Sequence, residues 1–228
     1  SREACASAAR YKAGGRVRGR VERRGFLVRP VAAVVGGWGP RKKGAWATDG
    51  VGARADHASD APPMVRLYTM VSNRTGSGAH TSLLINASQQ VIFDPAGNVE
   101  HPDVPERNDV LFGVTPEFER VYRSAHARET YHVVVQTKIV SPEVAEMALR
   151  KVQAAGPVQP ARCTLVTARL LSELPGFESL RPVWFPKRLM EDFERLPGVE
   201  TEKLVEYDDP DKFKAIMSYD GPETGSRP

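Results

Sequence analysis

Val65-Arg66-Leu67-Tyr68-Thr69-Met70-Val71, His80-Thr81-Ser82-Leu83-Leu84-Ile85 and Gln90-Val91-Ile92-Phe93-Asp94 follow one another within thirty positions. Each has the length and the β-branched, aromatic and apolar content of a strand. Arg74-Thr75-Gly76-Ser77-Gly78 separates the first two and Asn86-Ala87-Ser88 the last two, both built from turn formers. Pro95-Ala96-Gly97 stops the third. The stretch therefore predicts three consecutive strands joined by turns, and it sets the class of the whole domain.

Downstream the period changes. Pro102 to Asn108 is a polar loop, and Asp109-Val110-Leu111-Phe112-Gly113 is a short apolar element. Thr115-Pro116-Glu117 and Ser141-Pro142-Glu143 share one form: an N-cap hydroxyl, a proline at the first helical position and an early acid. They predict helices running to about His126 and to Gly156-Pro157, the second with Val144, Met147, Ala148 and Val152 on its buried face. Tyr131 to Val140 between them is a strand by its valines and threonine. Cys163-Thr164-Leu165-Val166-Thr167-Ala168-Arg169-Leu170-Leu171 opens a helix after Pro160, and Leu174-Pro175-Gly176 ends it. Trp184-Phe185-Pro186-Lys187-Arg188-Leu189-Met190 leads into a short helix, and Val199 to Tyr207 supplies a last strand. Strands first and helices later give an α+β class, an antiparallel sheet packed against helices.

The 228 residues suit one ordinary domain with extensions. Residues 1–63 carry 13 Lys and Arg against 5 Asp and Glu, while the remainder holds 19 against 23. The sequence pI of about 9.1 therefore describes the first segment and not the body. That segment is rich in Arg, Gly and Ala without period, and is expected to be a low-order solvated arm or the product of a start assigned upstream of Met64. Its few aromatics make a poor stacking platform, so nucleic acid is not an expected partner. The body is expected over residues 64–207, followed by an acidic, Gly/Pro-rich tail over 208–228. No apolar run approaches the ~20 residues of a membrane-spanning helix.

Of the two cysteines, Cys5 lies in the arm and Cys163 at a helix start, so Cys163 is expected to be a free thiol. A helix N-terminus favours the thiolate, and a nearby histidine can take its proton. His80, at a strand start, is the candidate base. Asp94 ends the next strand, where the hairpin can set its carboxylate beside His80 to hold the imidazole tautomer. The bland alternatives are a packed cysteine, a surface histidine and a turn aspartate. His101, His126 and His132 are expected at the surface or at edges. Although His80, Asp94, His101 and His132 are metal-ligating types, no HExxH or CxxC spacing accompanies them, and neither metal nor cofactor is expected. Gly76-Ser77-Gly78 has no Lys-Ser/Thr sequel, and Ser77 and Ser82 lack a Gly-x-Ser-x-Gly elbow.

The strand-initial His80, the polar Asp94 closing the next strand, the later helix-initial Cys163 and the downstream Trp184-Phe185-Pro186 together resemble the circularly permuted NlpC-type papain-like proteins. That grouping includes the YiiX/YebB-like bacterial proteins and, more distantly, the lecithin:retinol acyltransferase-like enzymes. The likeness spans residues 65–200, is strongest toward lipoprotein-like alphaproteobacterial members, and departs at Arg162, where asparagine is common. It implies a permuted papain-like core with Cys163 as nucleophile, His80 as base and Asp94 orienting the base. The chemistry implied is thiol hydrolysis of an amide or ester, on a cell-wall peptide or lipid acyl substrate, in the bacterial envelope. A catalytically inactive, envelope-associated binding domain of the same fold is the alternative.

Overall fold

In this computed structural model the described residues are 59–206 and 211–221. The expected basic arm lies outside them except for its last five residues. Those are tied to the body, since the Asn86 side chain donates to the carbonyls of Ala61 (2.8 Å) and Pro62 (3.1 Å).

Seven strands and five helices make up the described part. The strands are β1 (Met64–Ser72), β2 (Gly78–Asn86), β3 (Gln90–Phe93), β4 (Glu106–Arg107), β5 (Val110–Leu111), β6 (Tyr131–Ile139) and β7 (Val199–Leu204). They form one sheet in the order β4-β5-β3-β2-β1-β6-β7, every neighbouring pair antiparallel. The helices are α1 (Pro116–His126), α2 (Pro142–Ala154), α3 (Cys163–Ser172), α4 (Pro186–Glu194) and α5 (Lys212–Ile216).

The three consecutive strands form as the sequence predicts, and β1 is paired on both edges, with β6 along its full length and with β2 from Met64 to Val71. Alternation in β1 does not divide core from solvent, however. It divides two cores. Val65 and Leu67 join Leu83, Ile85, Val91 and Phe93 beneath α2, α3 and α4, where Ala148, Leu149, Ala168, Leu171, Phe177, Leu189 and Phe193 close over them. Tyr68 and Met70 join Leu84, Ile92, Val133 and Val135 on the other face, covered by Phe118, Val121 and Tyr122 of α1.

Two expectations about packing change. The buried stripe of α2 is Ala145, Ala148, Leu149 and Val152, while Met147 is 38 % exposed. The helix is rotated by about one position, because small alanines let it approach the sheet more closely than Met147 would. Part of the expected tail is structured too. Asp211 caps α5, and Ile216 and Tyr219 are buried against α1, with the Tyr219 ring 5.1 Å from that of Phe118. Ile216 and Tyr219, one helical turn apart, dock this segment, with Ala215 packed beside them and the Tyr219 hydroxyl 3.1 Å from Thr115 Oγ1.

Candidate active site

The site forms where β2 outruns β3. β2 pairs with β3 only from Leu83 to Asn86, so its first residues have no strand on that edge. On the other edge a bulge breaks the register between Met70 and Val71, setting His80 opposite Met70 and Gly78 opposite Val71. Bulges re-aim side chains at strand ends. Gly78 is needed at this point for space. A Cβ there would lie 2.6 Å from the Lys187 backbone nitrogen and 2.7 Å from Pro186 Cβ, so the start of α4 rests on the start of β2.

Asp94 comes one residue after the last β3 pair. Its N–H donates to the Asp109 carbonyl (2.8 Å) and its own carbonyl accepts from Gly97 (2.9 Å), closing the Asp94-Pro95-Ala96-Gly97 turn. The turn and the site are one device. A Cβ on Gly97 would fall 1.8 Å from Asp94 Oδ2, so only glycine leaves room for the carboxylate in its present rotamer. That carboxylate is 5 % exposed and accepts from His80 Nε2 at 2.6 Å.

Cys163 is the first residue of α3, only 8 % exposed and free. α1 and α2 are capped by the hydroxyls of Thr115 and Ser141, whereas Arg162 at the N-cap of α3 makes no side-chain capping bond. The partial positive charge of this helix start is thus left to the thiol. The sulfur lies 3.8 Å from Thr164 Oγ1, and His80 and the Thr81 backbone N–H, the donor that β3 would otherwise cover, act on it electrostatically. With Nε2 engaged by Asp94, Nδ1 is the ring nitrogen left for the thiol. The structure brings together all three residues singled out from sequence.

Electrostatics follow the geometry. Burial opposes charge on the His80 imidazole, but the charge and hydrogen bond of Asp94, with a smaller part from Cys163, raise it from its ordinary 6.5 to about 10. Burial pushes Asp94 up, yet the facing imidazole outweighs it and holds the carboxyl below its usual range. Burial likewise pushes the Cys163 thiol up, and His80, Thr164 and the Thr81 N–H bring it below an ordinary thiol. All three shifts favour a thiolate–imidazolium pair backed by a carboxylate.

Sequence reasoning missed Tyr122 and misjudged two histidines. The Tyr122 hydroxyl is fully buried, donates to Ser82 Oγ at 2.8 Å and helps to hold the Asp94 carboxyl down. His126, expected at the surface, is half-buried with its ring 4.4 Å from that of Tyr122, and its Nδ1 bonds the Tyr122 carbonyl at 2.8 Å. Burial lowers it to about 4 despite the opposing pull of Asp94, so it stays neutral beside the pair. The His101 side chain is 4 % exposed and meets Tyr219 edge-on at 5.2 Å. The i, i+4 spacing of Tyr122 and His126 was the available signal, but nothing local says which face of a helix meets a strand end.

Among the described residues no three His, Cys, Asp or Glu side chains gather as a metal site, and no helix is long and apolar enough to cross a membrane. No protein-family model matches the chain, and neither a curated protein nor a solved structure does.

Proposed function

We propose that the chain is a cysteine hydrolase that cleaves an amide or ester through an acyl-enzyme, on a permuted NlpC-type papain-like core. The observation that carries the reading is the half-buried His80 imidazole, bonded through Nε2 to Asp94 at 2.6 Å and paired electrostatically with the thiol of a helix-initial cysteine. Nucleophile, base and orienting group in this mutual reach are the parts of an activated thiol.

Cys163 thiolate attacks the carbonyl carbon, and the oxyanion forms beside the uncapped N–H groups of α3. Collapse of that intermediate breaks the carbonyl's bond to nitrogen or oxygen. The His80 imidazolium gives its proton to the departing amine or alcohol. Water then attacks the thioester with His80 as base, releasing the acid and restoring the thiol. Asp94 stays ionised throughout and stabilises the imidazolium. Peptides of the cell wall and lipid acyl groups are the substrate classes to screen first.

Cys163→Ala is expected to abolish turnover while leaving thermal unfolding unchanged. Turnover retained in that variant would falsify the assignment.

A further inference from the structure

β4 and β5 are joined by two residues, Asn108 and Asp109, and both are left-handed, with φ of 52° and 65°. A two-residue hairpin of this kind strongly prefers glycine at its second position, where a Cβ is a burden. Here that position holds an aspartate. It is 3 % exposed, although aspartate is almost never fully buried unless it is paired. Turn chemistry therefore accounts for Asn108 and not for Asp109. What Asp109 touches supplies the reason.

Asp109 bonds both halves of the site. Its carbonyl accepts the Asp94 N–H at 2.8 Å, at the start of the turn that carries the orienting carboxylate. Its Oδ2 accepts the Val158 N–H at 2.6 Å, on the segment that delivers Cys163 to the start of α3. Residues 155–162, which connect α2 to α3, are half-buried or exposed throughout. Among the described residues their other backbone N–H bonds are local, Ala155 to the Val152 carbonyl and Arg162 to that of Gln159. The buried Ala168 and Leu171 seat α3 on the sheet, but both lie more than one turn beyond the thiol. Where the first residue of the helix stands thus depends on how the chain enters it.

We infer that Asp109 is a positioning residue, its carboxylate tethering the Val158 segment so that the Cys163 thiol meets His80 while its carbonyl holds the Asp94 turn behind the imidazole. The part of this tether in turnover rests on the proposed hydrolase reading, and the tether itself does not.

The test uses the full chain. Asp109→Gly suits the left-handed backbone and deletes the acceptor, so the unfolding temperature is expected to hold. Exchange of the Val158 amide is expected to quicken at least about tenfold, as a bond that closes a local opening is lost. Iodoacetamide labelling of Cys163 at pH 6.5 is expected to slow about tenfold, and its pH profile to move towards that of an ordinary thiol. Loss of stability alone does not move that profile. Asp109→Asn keeps an oxygen for the Val158 N–H and tolerates the left-handed region, and is expected to stay within about twofold of the parent in both readings. Parent-like labelling in Asp109→Gly overturns the inference, and so does a Val158 amide that exchanges no faster there. An asparagine variant that labels as slowly as the glycine one also overturns it, since charge and not the hydrogen bond would then act. The parent bears on it even where a variant does not fold: a Val158 amide that exchanges as in an open chain sinks the tether. A parent thiol that labels only around pH 8–9, with Val158 protection still dependent on Asp109, removes the hydrolase reading and leaves the tether standing.

Discussion

The two faces of the sheet are built by different means. Under α2, α3 and α4 the core is aliphatic and phenylalanine-rich, with Phe177 and Phe193 wholly buried and 5.9 Å apart. Under α1 the core carries buried polar contacts: the Tyr68 hydroxyl donates to Glu119 (2.7 Å), Arg66 pairs with the same carboxylate, and Tyr122 donates to Ser82 and helps to hold the Asp94 carboxyl down. His80 belongs by alternation to this polar face with Ser82 and Leu84, while Cys163 begins a helix of the apolar one. They meet because β3 ends early and leaves the β2 edge open. The apolar face thus supplies the position of the thiol and the polar face the ionisation of its partner.

If that division holds, damage to each face has a different signature. Phe193→Ala is expected to cost about 3–5 kcal/mol in denaturant unfolding, with the pH profile of Cys163 alkylation unchanged in the folded fraction. His80→Ala works the other way. It is expected to slow iodoacetamide labelling at pH 6.5 by about a hundredfold, since an ordinary thiol is about 1 % ionised there, while unfolding changes far less. Labelling that is unaffected by His80 breaks the comparison.

Stability against pH sharpens it. His80 has a raised affinity for its proton in the fold, so its contribution is complete below pH 6.5 and is lost as pH rises through about 10. Asp94 is lowered, so its contribution is complete above its ordinary range near pH 4 and is lost as pH falls through the depressed value. Asp94→Asn is expected to flatten both limbs, followed by calorimetry across pH. The smallest effect concerns the helix starts. Thr115→Ala, on the polar face, is expected to cost about 1 kcal/mol, whereas Arg162→Ala, which removes no capping bond, is expected to cost under about 0.5 kcal/mol. Equal costs would mean that the start of α3 is satisfied by more than the thiol.

Much of this was legible in residues 65–94 and 115–172. Turn formers between β-branched runs specify the strands, and Thr-Pro-Glu and Ser-Pro-Glu specify the helix starts, because each acts within one or two turns of chain. Cys163, His80 and Asp94 were legible as types at element ends, since a thiol at a helix start and a histidine at a strand start are local facts. Tyr122, the docked Ile216 and Tyr219, and the rotated face of α2 were not. Each depends on which surface of a helix meets which strand.

The sequence by itself determined the elements, their order and the chemistry available at their ends, because propensity, capping and period act between neighbours. Only the tertiary structure decided that β3 stops three residues short of His80, that the uncapped start of α3 occupies that open edge, and that a glycine leaves Asp94 room to face the imidazole. Hydrogen-bond reach and desolvation are set by distances between segments as much as eighty residues apart, and no local pattern encodes those distances.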